Sequence, residues 1–307
     1  MQNLEGPDIQ LVHIEGDHIE PKTYTQAVNN HDSEFWKDAI KSEYDNIKKR
    51  DVWKVISESD MKRGMKPLGT KWVLKKKNDG RYRARLVVQG FAQVPGVDFE
   101  DSHAPVANDV TIRLLLVLSL VNNWTVEQLD VETAFLYGEL HETVYLKKPE
   151  GFNELSGKTM KSGEVLALNK ALYGLVQAAR MWMKTLVDHL TKKMGFQRSR
   201  ADPCFLWKIN NDEFVGVLVY VNDCAVFGDK NMVKSFQNEL SERFSIKKLG
   251  TLNEYVGAKF VFKDGKCFVH QPRLLESIEE NFDVPENYVS TPAPSGEILL
   301  KGKRCFG

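Results

Sequence analysis

A chain of 307 residues with 42% hydrophobic, 27% charged and 10% aromatic residues has the material for a folded core of about two domains, and extensive disorder, collagen-like repeats and low complexity are excluded. The longest apolar run, Ile112 to Val121, is interrupted by Arg113 and Ser119 and reaches about half the length of a bilayer span, so no membrane segment is expected. Net charge is zero, yet Met61 to Arg85 holds ten basic residues against the single acid Asp79, leaving that segment +9 and the remainder −9. The acidic N-terminus has no apolar stretch and reads as no secretory signal. Cys204, Cys224, Cys267 and Cys305 show no paired spacing, which fits a reducing compartment and argues against a zinc site.

In chain order, residues 1–30 read as a polar, flexible leader. Phe35, Trp36, Ile40, Tyr44 and Ile47 recur at helical spacing, with Asp32 or Ser33 as the N-cap. Thr70 to Lys77 and Tyr82 to Val88 alternate apolar and basic residues around Asn78-Asp79-Gly80, which predicts a β-hairpin with Lys71, Lys75 and Lys77 on one face of its first strand and Arg83 and Arg85 on one face of its second. Thr111 to Val121 reads as a buried helix and Thr125 to Val131 as a strand. Ala171 to Met194 carries a long helical stretch closed by Lys192, Lys193 and Gly195. Phe214 to Val221 and Cys224 to Phe227 predict two apolar strands joined across Asn222-Asp223. Met232, Phe236, Leu240 and Phe244 mark an amphipathic helix. Tyr255 to Phe262 and Lys266 to His270 flank the turn Asp264-Gly265, and Pro272 opens a helix through Phe282. Strands and helices mixed without βαβ regularity favour an α+β class with a largely antiparallel sheet.

Two acids, Asp130 and Asp223, end or cap apolar strands, where a carboxylate is either a turn former or a metal ligand. The basic hairpin is the footprint of something that holds phosphates, with a solvated surface hairpin as the alternative. Strand-end carboxylates holding two Mg²⁺ ions, with cations from a separate element neutralising phosphate, are what nucleotidyl transfer needs.

The segments TKWVLKKKNDGRYRARLVVQGFAQVPGVDFEDSHAPVAN, TIRLLLVLSL, WTVEQLDVETAFLYGELHETVYLKKPEGF, LNKALYGLVQAARMWMKTL, GFQRSRADPCFL, VYVNDCAVFGD and FSIKKLGTLNEYVGAKF carry a resemblance to the reverse transcriptase of Copia-type LTR retrotransposons, from about Tyr24 to Pro292. The resemblance implies a right-hand polymerase fold of fingers, palm and thumb: fingers over 31–110, palm over 111–245 with interspersed fingers elements, and a primer-grip and thumb-like region over 246–307. It implies that Asp130 is a metal ligand and that Phe135 is the aromatic gate against a ribose 2′-hydroxyl, where plain core packing is the other reading. Tyr173 and Gly174 of LYGL would line the nucleotide pocket, or be structural. Lys71, Arg83 and Arg85 would grip the triphosphate, and Leu249-Gly250 to Gly257 would form the primer grip. Implied partners are an RNA template, a DNA primer and deoxynucleoside triphosphates, with Mg²⁺ as cofactor and Mn²⁺ as the ion tolerated in its place. The implied location is the cytoplasm, within virus-like particles, with the nucleus as the second compartment.

Departures from the family pattern are as specific as the matches. The catalytic tip, Tyr-Val-Asp-Asp in the family, reads Tyr220-Val221-Asn222-Asp223, so Asn222 stands where a carboxylate would complete the metal site with Asp130 and Asp223. An amide oxygen coordinates Mg²⁺ without bringing negative charge, and metal occupancy is expected to fall. Ala179 replaces a usual proline, Val176 a lysine and Lys248 an aspartate. The expected function is therefore an RNA-directed DNA polymerase domain with impaired chemistry. The alternative is a non-catalytic nucleic-acid-binding remnant. No ribonuclease H, integrase or protease pattern accompanies it, which predicts a fragment of the usual polyprotein or a shortened gene.

Overall fold

A computed structural model describes residues 20–77 and 79–282. Residues 1–19 of the expected leader lie outside them, but the remainder of that stretch is not featureless. Thr23 accepts from the Gln26 N–H and starts a short helix, α1 (Tyr24–Val28), whose Ala27 is buried. Helix α2 (Ser33–Lys49) turns Trp36, Ile40, Glu43, Tyr44 and Ile47 inward. Asp32 precedes it without a side-chain cap bond and accepts instead from the Tyr82 hydroxyl at 2.6 Å.

Strand β1 (Trp53–Ser57) leads to the basic hairpin, β2 (Thr70–Lys76) and β3 (Tyr82–Val88), which form a two-stranded sheet with Lys75 opposite Arg83 and Val73 opposite Arg85. Alternation sends Trp72, Leu74, Ala84 and Leu86 into a core shared with α2, and leaves Lys71, Lys75, Arg83 and Arg85 together on the other face. Lys77 falls just past β2, in the turn.

Helix α3 (Asp109–Asn122) forms as expected, but only partly buried: Ile112, Leu115, Leu116 and Ser119 face inward, whereas Val110, Leu114, Val117 and Val121 are exposed. The helix is apolar nearly all round, so periodicity could not tell its packed face from its open one. It is followed by β4 (Thr125–Val131), β5 (Tyr145–Leu146), α4 (Phe152–Ser156) and β6 (Glu164–Leu168), with β1-β6-β5 forming a small sheet.

The long helix starts later than its pattern suggests, at Ala178, and α5 runs to Lys192 with Lys193 as C-cap. Residues 171–177 are a loop because Gly174 takes φ +89° and lies so close to β3 that a Cβ on it would meet the Val88 carbonyl oxygen. After α5 come β7 (Gln197–Arg198), β8 (Phe205–Asn210), β9 (Glu213–Tyr220), β10 (Asp223–Gly228), α6 (Lys230–Arg243) and β11 (Ile246–Thr251). The hairpin tip is shifted by one residue from expectation: Val221-Asn222 makes the turn and Asp223 is already in β10, paired with Tyr220 on one side and Asp130 on the other.

The central sheet has the order β11-β4-β10-β9-β8-β7, and all of its ladders are antiparallel. Consecutive residues of β9 and β10 are buried, which means both faces of the sheet are covered. Strand β11 joins this sheet at its edge through β4. The chain divides into two units between Leu252 and Asn253. The second contains a three-stranded sheet, β12 (Glu254–Tyr255), β13 (Ala258–Lys263) and β14 (Lys266–His270), and helix α7 (Pro272–Asn281) with Pro272 in its first turn. Positive φ at Val256 and Gly257 splits the expected strand from Tyr255 to Phe262 into β12 and β13.

Candidate active site

Asp130 is the penultimate residue of β4 and Asp223 the first of β10, and the antiparallel register sets them directly opposite each other at the end of the central sheet. Directly opposed side chains share a face, and like charges in that arrangement destabilise the pair unless a cation lies with them. Burial, and after it the neighbouring Asp130, push the Asp223 carboxyl above its ordinary range; the Gln128 amide, 3.4 Å away, works against this. Among the described residues neither carboxylate forms a salt bridge. A half-buried, mutually repelling pair of hard oxygen ligands is a donor set that fits a divalent ion such as Mg²⁺. Lys247 of β11, which motif reading passed over, lies opposite Asp130 on the other side of β4.

Asn222 sits in the turn beside this pair, and its backbone carbonyl accepts from the Val131 N–H at 2.9 Å. The preceding residue, Val221, has φ +54°, a conformation that costs a β-branched residue on the order of 1–3 kcal/mol. Its carbonyl accepts from the Trp182 indole at 2.7 Å.

A 3₁₀ turn over Ala134–Tyr137 follows β4 and carries Phe135, half-buried, with its ring centroid 5.0 Å from that of Tyr173. The Arg85 guanidinium lies over the other aromatic partner, 4.6 Å from the Tyr173 centroid. Burial pushes the Tyr173 hydroxyl up, and Glu43 and Asp130 add to it against Arg85 and Arg83. Arg83 is pulled down by burial and by Arg85, and supported by Tyr173, Glu43 and Asp130. The hairpin face bearing Arg83 and Arg85 therefore lies within electrostatic reach of Asp130 and Tyr173. Lys71 is exposed on the same face, opposite Val87, and among the described residues it forms no ion pair with Asp130 or Asp223.

The loop holding Tyr173 and Gly174 is fixed from beneath. The Val88 N–H donates to the Tyr173 carbonyl at 2.7 Å, the Val176 N–H to Gln93 Oε1 at 2.9 Å, and Gln177 Nε2 to the Asp98 carbonyl at 3.1 Å. Val176 takes part through its backbone, so the side chain that departs from the family pattern leaves this bond intact. Ala179 lies in the first turn of α5, where a proline's missing N–H would cost nothing, and alanine fits equally. Lys248 is exposed on β11.

A second residue that motif reading missed is Glu43. It is 6% exposed on α2, takes a backbone hydrogen bond from Leu86, and faces Arg85, Arg83 and Arg50; burial outweighs them and pushes its carboxyl to about 7. The signal was present, because position 43 falls on the apolar stripe Trp36-Ile40-Tyr44-Ile47.

A family model described as reverse transcriptase (RNA-dependent DNA polymerase) matches residues 50–294. The chain belongs to the reverse transcriptase family. It is 35% identical, over 99% of its length, to the retrovirus-related Pol polyprotein from transposon TNT 1-94 of Nicotiana tabacum, and covers 23% of that polyprotein. The Pol polyprotein from transposon RE1 of Arabidopsis thaliana is 32% identical over 92% of the chain, which covers 19% of it. These are Copia-type relatives, and this reverse transcriptase domain spans less than a quarter of either. Among solved structures, the foamy viral protease-reverse transcriptase dRH in complex with double-stranded DNA is similar over 81% of this chain and 37% of that one, at 15% identity and a TM-score of 0.39.

Proposed function

We propose that the chain carries a site for RNA-directed DNA synthesis whose metal centre is weakened by Asn222. The observation that carries this reading is the register pairing of Asp130 with Asp223 at the sheet end, within electrostatic reach of Arg83 and, through Tyr173, of Arg85. Asp130 and Asp223 would hold the divalent ion, Mg²⁺ in the first instance, and the Asn222 amide oxygen is a third, uncharged donor. When bound, such ions supply activation of the primer hydroxyl and neutralisation of the triphosphate.

The chain's own residues do the rest. Arg83 and Arg85 bind the triphosphate of the incoming deoxynucleotide, with the exposed Lys71 adding field from the same face. The Tyr173 ring, held between Arg85 and Phe135, forms the floor on which the sugar rests, and Phe135 excludes a 2′-hydroxyl. The partners are an RNA template and a DNA primer, recognised through the basic hairpin's phosphate contacts. The site of action is the cytoplasm, in virus-like particles, with the nucleus as the second compartment.

The test is primer extension on an RNA template with the full chain. Weak extension that rises when Mn²⁺ replaces Mg²⁺, and disappears in Asp130→Asn, is the expected result, because Mn²⁺ binds such a mixed ligand set more tightly. Extension that is indifferent to Asp130→Asn would place the chemistry elsewhere.

A further inference from the structure

The two carbonyls of the Val221-Asn222 turn are tied to different elements, and only one of these ties lies within the sheet. The Asn222 carbonyl accepts from the Val131 N–H at the end of β4, the strand that bears Asp130. The Val221 carbonyl accepts from the indole of Trp182, on α5. Val221 is a poor choice for its conformation. Two-residue hairpin loops take their positive φ from Gly, Asn or Asp, and a valine at φ +54° must be held there by its surroundings. The residue is itself 41% exposed, so packing of its side chain supplies little of that restraint.

Trp182 is placed to supply it. It is fully buried, its ring meets Phe244 edge-on at 5.4 Å and lies 6.1 Å from Tyr137. Its backbone packs so closely on Gly138 that a Cβ there would come within 2.9 Å of the Trp182 nitrogen. The donor thus projects from a rigid position that also abuts the 3₁₀ turn carrying Phe135.

We propose that Trp182 is a positioning residue: its indole N–H holds Val221 in the left-handed conformation that sets Asn222 and Asp223 against Asp130. This rests on the reading that the turn is the metal-binding tip, and it assigns the geometry of that tip to a helix outside the sheet. Trp182→Phe keeps an aromatic ring and removes the donor. Val221→Gly removes the strain the donor resists, since glycine adopts this φ freely.

The experiment is amide hydrogen exchange on the full chain, followed in peptides covering residues 218–224 and 129–133, with peptides from α5 as the reference. Trp182→Phe is expected to speed exchange at the tip by about five- to tenfold, the factor for one hydrogen bond, with α5 unchanged. Adding Val221→Gly is expected to return the tip toward native protection. Native exchange at the tip in Trp182→Phe, an equal rise along α5 and the tip, or no rescue by Val221→Gly would each overturn the proposal. Failure of the metal reading shows separately, as Mn²⁺ affinity that Asp130→Asn does not change, and leaves the exchange result standing.

Discussion

Glu43 shows how one side chain sets conditions for a site it does not touch. Its carboxyl is buried beside Arg83, Arg85 and Arg50, and Tyr173 is within its field, but desolvation dominates and raises it from 4.5 to about 7. A carboxyl raised on folding contributes stability that is fully present below the unfolded value and is lost as pH rises through the folded one. The native chain is therefore expected to lose on the order of 3 kcal/mol from this group between about pH 4.5 and 7. Glu43→Gln should flatten that part of the profile, which paired thermal melts at pH 5 and pH 8 would read; an identical pH slope in both proteins would remove Glu43 from the account. Phe135 is the second residue with a separable role. Its contact with Tyr173 satisfies a packing role and a gating role alike, and only substrate choice distinguishes them. In a chain made competent by Asn222→Asp, Phe135→Val is expected to raise ribonucleotide over deoxyribonucleotide incorporation roughly tenfold or more, in line with about 1.4 kcal/mol of discrimination. Unchanged discrimination leaves the ring as core.

At the scale of elements, the basic hairpin was readable because alternation, an Asn-Asp-Gly turn and charge density all agree, and its strands differ from expectation by one residue at Lys77. Register did the remaining work: placing Lys75 opposite Arg83 puts Lys71, Arg83 and Arg85 on one face. If about five of the ten basic residues between Met61 and Arg85 contact phosphates, log affinity for nucleic acid should fall with log salt at a slope of roughly −3.5 to −4.5. Replacing Lys71, Arg83 and Arg85 together by alanine should flatten the slope, measured by fluorescence anisotropy across a salt series. A slope unchanged in the triple variant would move the contacts to another surface.

Other elements were less legible, for identifiable reasons. The start of α5 was hidden because Leu172, Leu175 and Ala178 continue a helical apolar pattern through a loop that Gly174 and the Gln93-Gln177 contacts hold open. Asn222-Asp223 is the better turn pair in isolation and points one residue past the Val221-Asn222 turn; the ladder to Asp130 and the Trp182 indole override that preference. Neither contact is local in sequence, so no window of residues contains it.

At the scale of the whole molecule, family membership covers residues 50–294, and the pairing of Asp130 with Asp223 is what the motifs led one to expect. Under the proposed function the decisive departure is one atom type: an amide nitrogen at Asn222 where the resembled motif has a carboxylate oxygen. Three carboxylates bring three negative charges to a pair of divalent ions, and two bring one fewer, which leaves more of the ions' charge uncompensated. Loss of ion-based stabilisation of the reacting phosphate removes several kcal/mol, enough to slow synthesis by orders of magnitude. The backbone of the turn is tied in, because the Asn222 carbonyl accepts from the Val131 N–H; of the other departures, Val176 keeps its backbone bond to Gln93, Ala179 lies in the first turn of α5 and Lys248 is exposed.

The most direct measurement is Mg²⁺-dependent primer extension on an RNA template, comparing the native chain with Asn222→Asp at equal primer-template occupancy. The account predicts extension near background for the native chain and at least a hundredfold increase in Asn222→Asp, about 2.7 kcal/mol of restored stabilisation. Robust extension by the native chain with Mg²⁺, or a folded and primer-bound Asn222→Asp that stays silent, would contradict it.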